Sequence, residues 1–382
     1  MLPPSVTAAD VKVTDVIAYP MLHDAPSSGG TSWKNTDRMA IVIIEIRTDA
    51  GIVGIGECLG RFGSAAYAEA VRQLFLPKLL GKSPFAAVDL QLDMRRAHSG
   101  RAGGMTGECM AGIDIALWDI MGKIAGLPIS ALLGGSIGKS VPCYGCSIPW
   151  TEDESKLKEI VDRAKAKGFK MAKVKFGGPL KEGIRHLELV RKLAGDELDL
   201  SADANWDFSV ADAVPLGHAM AALGYIWLEE PLPPEDIEGY RTLAEKVPIP
   251  LAAGESDYNG WHASQLVASR AISFVQPNVT RAGGITEVRR IYDLAHLNHV
   301  AYAPHNGGSG IVCDVATLHL AAAAPNLFMV ESVWSEDPFK SDLGTIKRSS
   351  DRLADGMVTV PDGPGLGLDL DWDMVRRSAP KD

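Results

Sequence analysis

The sequence predicts an α/β protein: a (β/α)8-type barrel preceded by a smaller α+β region. Three observations carry this. From Val141 onward, short apolar runs alternate with longer amphipathic segments, as expected of βα units on a parallel sheet. Eight runs read as strands: Val141–Tyr144, Met171–Lys175, Leu198–Asp203, Tyr225–Glu229, Pro250–Glu255, Ile272–Pro277, Val300–Pro304 and Phe328–Glu331. Seven of them end at, or are followed directly by, a polar or ionisable residue, namely Lys175, Asp203, Glu229, Glu255, Asn278, His305 and Glu331. These follow one another at intervals of 23 to 28 residues, the length of one strand, one helix and two loops. A chain of 382 residues accommodates such a barrel, about 250 residues in most cases, plus a partner region.

Ahead of the barrel, Val11–Tyr19 and Met39–Ile46 are rich in β-branched residues and read as strands. Asp49-Ala50-Gly51 marks a turn, so Met39–Ile46 and the run Ile52–Cys58 form a hairpin. Met21–Asp37 is too polar and too rich in Gly and Ser for a core element and reads as a mobile loop. Over Met110–Ala125, apolar residues recur at helical spacing, and Gly126 with Pro128 stops the helix. After Glu331, the stretch Gly356–Leu370 returns as extended chain that packs on the first region. Its Gly363, Gly365 and Gly367 belong to a turn, because no βαβ unit contains them.

Composition narrows the function. A formal net charge of −10 disfavours nucleic acid and anionic membrane as partners and leaves small molecules. Five scattered cysteines make no disulfide framework, which fits a reducing cytoplasm. Cys143 and Cys146 form a Cys-x-x-Cys pair without thioredoxin or zinc context and read as core thiols, while Trp261 and Trp334 read as packing residues. The N-terminus lacks a basic, apolar leader and no run of 18 apolar residues occurs, so neither export nor membrane insertion is expected.

In a (β/α)8 barrel all strand C-termini face one mouth, so the seven strand-end residues are expected to share a pocket. Asp203, Glu229 and Glu255 end three consecutive strands. Like charges that close need a cation, and an all-oxygen set suits Mg2+, with Mn2+ as the alternative, better than zinc. Within Glu229-Glu230-Pro231 only one carboxylate is expected to point inward, and Asn205, two residues after Asp203, supports the metal's water shell or the substrate if the strand continues. Lys173 and Lys175 share one face, with Val174 opposite. Their mutual repulsion is expected to lower the pKa of one and make it a neutral base. His305 lies across the ring from Lys175 as a second acid or base, with Asn278 as its neighbour. Glu331 is expected to hydrogen-bond the substrate carboxylate, either as an acid with a raised pKa or through water. These parts describe one reaction: a carboxylate chelates the metal, a base removes the adjacent proton, and an enediolate forms whose charge must be stabilised.

Lys-x-Lys at 173–175, Asp-x-Asn at 203–205, Glu-Glu-Pro at 229–231, Gly-Glu at 254–255 and the late His305, in this order, resemble the enolase superfamily, mandelate racemase subgroup. The resemblance spans nearly the whole chain. Residues 112–135 are similar to that family's connection from cap to barrel, and 360–371 to its C-terminal return. It implies a modified TIM barrel, (β/α)7β, with an α+β capping domain built from the N-terminal region and the C-terminal tail: residues 1–135 cap, 136–340 barrel, 341–382 return. It also implies Asp203, Glu229 and Glu255 as magnesium ligands, Lys175 as base, Lys173 as its electrostatic partner, His305 as acid or base on the other face, Glu331 as a partner of the intermediate, and a dimer or octamer. One position departs from the pattern. Asn278 stands where the family places an aspartate beside the histidine, so His305 is expected to be a weaker base.

A symmetric racemase is therefore disfavoured, and β-elimination is expected, with Lys175 as base and His305 assisting as acid or through a water. The substrate class is a sugar acid, to be dehydrated, or its lactone or anhydro form, to be opened by cycloisomerisation. His23, Ser32, Trp33 and Lys34 in the polar loop, and Arg61 in Leu59–Ser64, are the expected substrate contacts. A racemase or epimerase on the same scaffold, a Schiff-base aldolase using Lys175, and a non-catalytic sugar-acid binding protein are the competing readings.

Overall fold

Alternating β-branched residues build an antiparallel sheet of β1 (Val13–Asp24), β2 (Arg38–Thr48) and β3 (Val53–Cys58). The computed structural model describes residues 7, 10–24, 38–61, 63–96, 103–334 and 343–379. The hairpin pairs Val42 with Cys58. The expected loop Met21–Asp37 overlaps β1, because Met21–Asp24 pair with Ile41–Arg38 and the Met21 side chain is buried. Helical segments at 64–79 and 84–96 and the long helix α1 (Gly104–Ala125) cover one face of this sheet. α1 starts six residues before the expected Met110, since Thr106 caps Gly103 and the small and polar first turns are buried. Its contact with β3 is backbone-close: a Cβ on Gly56 would lie 1.9 Å from the Gly112 carbonyl oxygen.

The barrel follows in strict alternation: β4 (Ser140–Ile148), α2 (Glu154–Ala166), β5 (Met171–Lys175), α3 (Leu180–Ala194), β6 (Asp199–Asp203), α4 (Val210–Ala222), β7 (Leu228–Glu229), α5 (Ile237–Ala244), β8 (Leu251–Ala253), α6 (Gly260–Ala268), β9 (Phe274–Val275), α7 (Gly284–Leu297), β10 (Ala301–Tyr302), α8 (Ile311–Ala323) and β11 (Val330–Val333). Strands β4 to β10 pair in parallel in sequence order, and β11 pairs with β4. The ring closes where the Tyr302 N–H donates to the Asn326 carbonyl and the Tyr302 carbonyl accepts from the Phe328 N–H, both at 2.8 Å. The architecture is (β/α)7β, with an antiparallel sheet and helices as cap.

Several strand ends differ from expectation. β5 to β11 keep only two to five residues in the ladder, as tilted strands of a small barrel do. Glu255, Asn278 and His305 thus stand two or three residues past β8, β9 and β10. β4 runs longer than Val141–Tyr144, because its start also pairs with the returning β12 (Met357–Thr359) and its end, up to Ile148, pairs with β5 and β11. The tail then turns at Gly365 and Gly367, both at positive φ, and reaches the cap, where Asp119 on α1 accepts the N–H groups of Leu366 and Ile55. Trp261, expected to pack, is 69% exposed at the start of α6, whereas Trp334 packs on Phe169. No helix among the described residues is long and apolar enough to cross a membrane.

Candidate active site

The parallel register places strand-end residues side by side: Lys175 pairs with Asp203, and Asp203 with Glu229. Because alternate strand residues share a face, Lys173 and Lys175 both reach into the barrel mouth. Lys173, fully buried, contacts Glu229, Glu331 at 2.7 Å and Asp203 at 3.6 Å. Lys175 contacts Asp203 and lies 3.3 Å from Asn205 Oδ1. Oxygens of Asp203, Glu229 and Glu255 all lie within 4.8 Å of one another, and all three residues are buried. Asn205 arrives by a left-handed turn (φ 43°), not by continuation of the strand, and its N–H donates to Asp203 Oδ1 at 2.9 Å.

The charge states follow from these contacts. Burial opposes the ammonium charge of both lysines, yet Glu229 and Glu331 around Lys173, and Asp203 beside Lys175, outweigh it and hold both above the usual lysine range. The expected lowering of one lysine is therefore corrected: carboxylates at contact distance exceed the repulsion between the two ammonium groups. Burial alone would raise Asp203, but Lys175 and Lys173 bring it down to about 2. For Glu229, burial prevails and raises it to about 8. The three buried carboxylates, with oxygens within 4.8 Å of one another, form an all-oxygen set that a hard divalent cation fits.

Both members of the Glu229-Glu230 pair are buried, but only one carboxylate points into the mouth. Glu229 joins the cluster, with its other oxygen accepting from Trp227 Nε1 at 3.0 Å and Gln276 Nε2 at 2.8 Å. Glu230, at positive φ, turns aside to accept the N–H groups of Gly254 and Glu255 and the Trp206 indole N–H. It fixes the backbone that carries Glu255. His305 points Nε2 at Glu255 (3.1 Å) and Glu331 (3.8 Å), and Nδ1 at Asn278 Nδ2 (3.1 Å). Burial lowers its pKa to about 4 against the pull of Glu255 and Glu331. Glu331 is not a raised-pKa acid: burial would raise it, but Lys173 and His305 hold it below the usual range. Its oxygens serve Lys173 and the N–H groups of Asn306 and Gly307.

Arg61 of the cap donates to the Gly307 carbonyl at 2.9 Å, which joins the cap to the loop after β10. Trp33 and Lys34, like Ser32, lie outside the described residues; His23 lies on β1, where only its backbone is described. Of the two cysteines read as core thiols, both are free and buried, and Cys146 faces Glu331 and Lys173. Sequence reasoning missed Glu230, Gln276 and Thr280. All three lie where the chain has left the strand ladder, so the alternation of the sequence carries no signal for them.

Fold and site together define a capped barrel enzyme whose mouth gathers lysines, carboxylates and a histidine. Residues 14–134 match the mandelate racemase/muconate lactonizing enzyme N-terminal domain, and residues 156–374 match the enolase C-terminal domain-like family. The chain is 32% identical over 377 residues to the D-galactarolactone cycloisomerase of Agrobacterium fabrum, covering 96% of this chain and 98% of that one. It is 34% identical over 339 residues to the arabinonate dehydratase of Saccharolobus solfataricus, covering 87% and 88% respectively. A racemase from Streptomyces coelicolor A3(2), solved with bound magnesium, superposes with a TM-score of 0.86 at 26% identity, covering 96% of this chain and 100% of that one. The chain belongs to the enolase superfamily, in its mandelate racemase/muconate lactonizing group, and is an enzyme of the lyase or isomerase type.

Proposed function

We propose that the enzyme removes the proton α to the carboxylate of a sugar acid, or of its lactone or anhydro form, and expels the β-oxygen. The outcome is a dehydration or a cycloisomerisation. The observation that carries this reading is the meeting of Lys175 with the Asp203, Glu229 and Glu255 carboxylates at one mouth. Those three residues would hold Mg2+, which supplies a Lewis acid that acidifies the α-proton and neutralises the developing charge. Lys175 takes the proton once Asp203 is engaged elsewhere. Lys173 stays charged between Glu229 and Glu331 and faces the developing oxyanion. His305 approaches from the opposite side. Arg61, with His23, Trp33 and Lys34, supplies the substrate contacts of the cap, in a division that assigns residues 1–135 and 341–382 to the cap and 136–340 to the barrel. The named activities of the relatives, on galactarolactone and arabinonate, support a sugar-acid substrate. The reading is tested by screening acid sugars and their lactones with Mg2+, scoring 2-keto-3-deoxy product as a semicarbazone. Product that disappears with EDTA is expected; product indifferent to chelator contradicts the role given to the three carboxylates.

A further inference from the structure

The histidine side of the mouth carries a hydrogen-bond chain whose direction is fixed. The backbone N–H of Thr280 donates to Asn278 Oδ1 at 2.9 Å, and the Thr280 hydroxyl donates to the same oxygen at 2.6 Å. A backbone N–H cannot accept, so the amide oxygen faces Thr280 and Nδ2 faces the other way. Nδ2 lies 3.1 Å from His305 Nδ1 and 3.2 Å from Ser309 Oγ. Because Nδ2 only donates, Nδ1 of the ring must offer its lone pair. The ring proton then belongs on Nε2, which indeed faces two carboxylates, Glu255 and Glu331. Asn278, Thr280, Ser309 and His305 are all buried, so the chain is not open to rearrangement by bulk water.

We infer that Asn278, set by Thr280, holds His305 as the neutral Nε2–H tautomer, a stationary hydrogen-bond donor to the intermediate, and that Lys175 alone carries the proton. This rests on the proposed proton abstraction. Nε2 has no lone pair with which to take a proton. Were it to give its own away, an imidazolate would remain, since Nδ1 cannot be reprotonated against the Asn278 N–H. The balance closes on the other side. The ammonium proton of Lys175 first leaves to solvent once Asp203 is engaged elsewhere; the α C–H bond then breaks, its proton goes to the lone pair of the neutral Lys175 Nζ, and its electrons enter the enediolate. Those electrons then form the C=C bond as the β C–O bond breaks, and the Lys175 ammonium returns the proton to the departing oxygen. Both transfers occur on the face that Lys175 occupies, so the elimination is syn. Asn278 and Thr280 are positioning residues, and the expected role of His305 as acid gives way to that of a donor.

The tautomer is read without substrate by 15N NMR of histidine-labelled protein, metal-free and saturated with Mg2+, with the His305 signals assigned by their loss in His305→Gln. The expected spectrum has Nε2 as an N–H and Nδ1 as a lone-pair nitrogen. Thr280→Ser keeps that spectrum. Thr280→Val loses the hydroxyl but keeps the backbone N–H that fixes the Asn278 oxygen, so it keeps the tautomer and lowers kcat by at most about tenfold, the scale at which outer hydrogen-bond partners act, with little change in KM. Asn278→Asp inverts the tautomer. With galactarolactone, galactarate and arabinonate as probes in D2O, it also gains α-proton exchange that survives Lys175→Ala. A lone pair on Nε2 in the wild-type protein, or an Asn278→Asp spectrum identical to wild type, would overturn the inference. If no probe turns over, the proposed activity fails while the NMR result still decides the tautomer.

Discussion

The two sides of the barrel mouth solve the burial of polar groups in opposite ways. On the lysine side, charges are buried in pairs: Lys173 and Lys175 lie among Asp203, Glu229 and Glu331. On the histidine side, a neutral chain of Thr280, Asn278 and His305 pairs donors with acceptors without a buried charge. A charged cluster can hand a proton over as its partners change, whereas a neutral chain anchored on a backbone N–H has one arrangement. The difference places proton mobility with Lys175.

The sharpest way to break this contrast is to truncate both sides. Lys175→Ala is expected to lower kcat/KM by about 10³-fold, the range of a lost general base, and His305→Gln by about 10²-fold, the range of one lost donor. Equal losses, measured by the keto-acid assay, would erase the distinction. Acid separates the sides by stability. His305 titrates near 6.5 when unfolded and about 4 when folded. Between those values the unfolded chain binds more protons, so stability falls as pH drops from 6.5 to 4, by roughly 3 kcal/mol for a fully buried ring. Asp203 is lowered from 3.8 to about 2, so its contribution is present above 3.8 and disappears between 3.8 and 2. Urea unfolding of metal-free wild type against His305→Gln should show the first loss only in the wild type.

Much of this contrast was legible in the chain. The recurrence of Lys175, Asp203, Glu229 and Glu255 at strand ends follows from the repeating βα unit, so the mouth could be assembled from the sequence. The protonation of Lys175 could not, because it depends on how closely Asp203 approaches. Nor could the donor sense of Asn278, which is set by Thr280 through a turn that the alternation of apolar residues does not record. Asn205 reached the site for a different reason than expected, by a left-handed turn in place of a continued strand.

Two smaller effects sharpen the account of the carboxylates. Mg2+ at a hundredfold excess over its Kd should stabilise the wild type by about 2.7 kcal/mol, read as a thermal shift, and should do little for Asp203→Asn. An equal shift in both would remove Asp203 from the ligand set. Glu230→Gln puts an amide donor against either the Trp206 indole N–H or the Gly254 and Glu255 N–H groups, and should destabilise by about 1–3 kcal/mol in urea unfolding. No change would mean that Glu230 does not fix the Glu255 backbone.

The central claim is that Lys175 moves the α-proton. Its most direct test is 1H NMR in D2O of the substrate found by the keto-acid screen, with Mg2+ and wild-type, His305→Gln or Lys175→Ala enzyme. The account predicts loss of the α-proton signal with wild type, slower loss with His305→Gln, and none with Lys175→Ala. Exchange that persists in Lys175→Ala and vanishes in His305→Gln would contradict it.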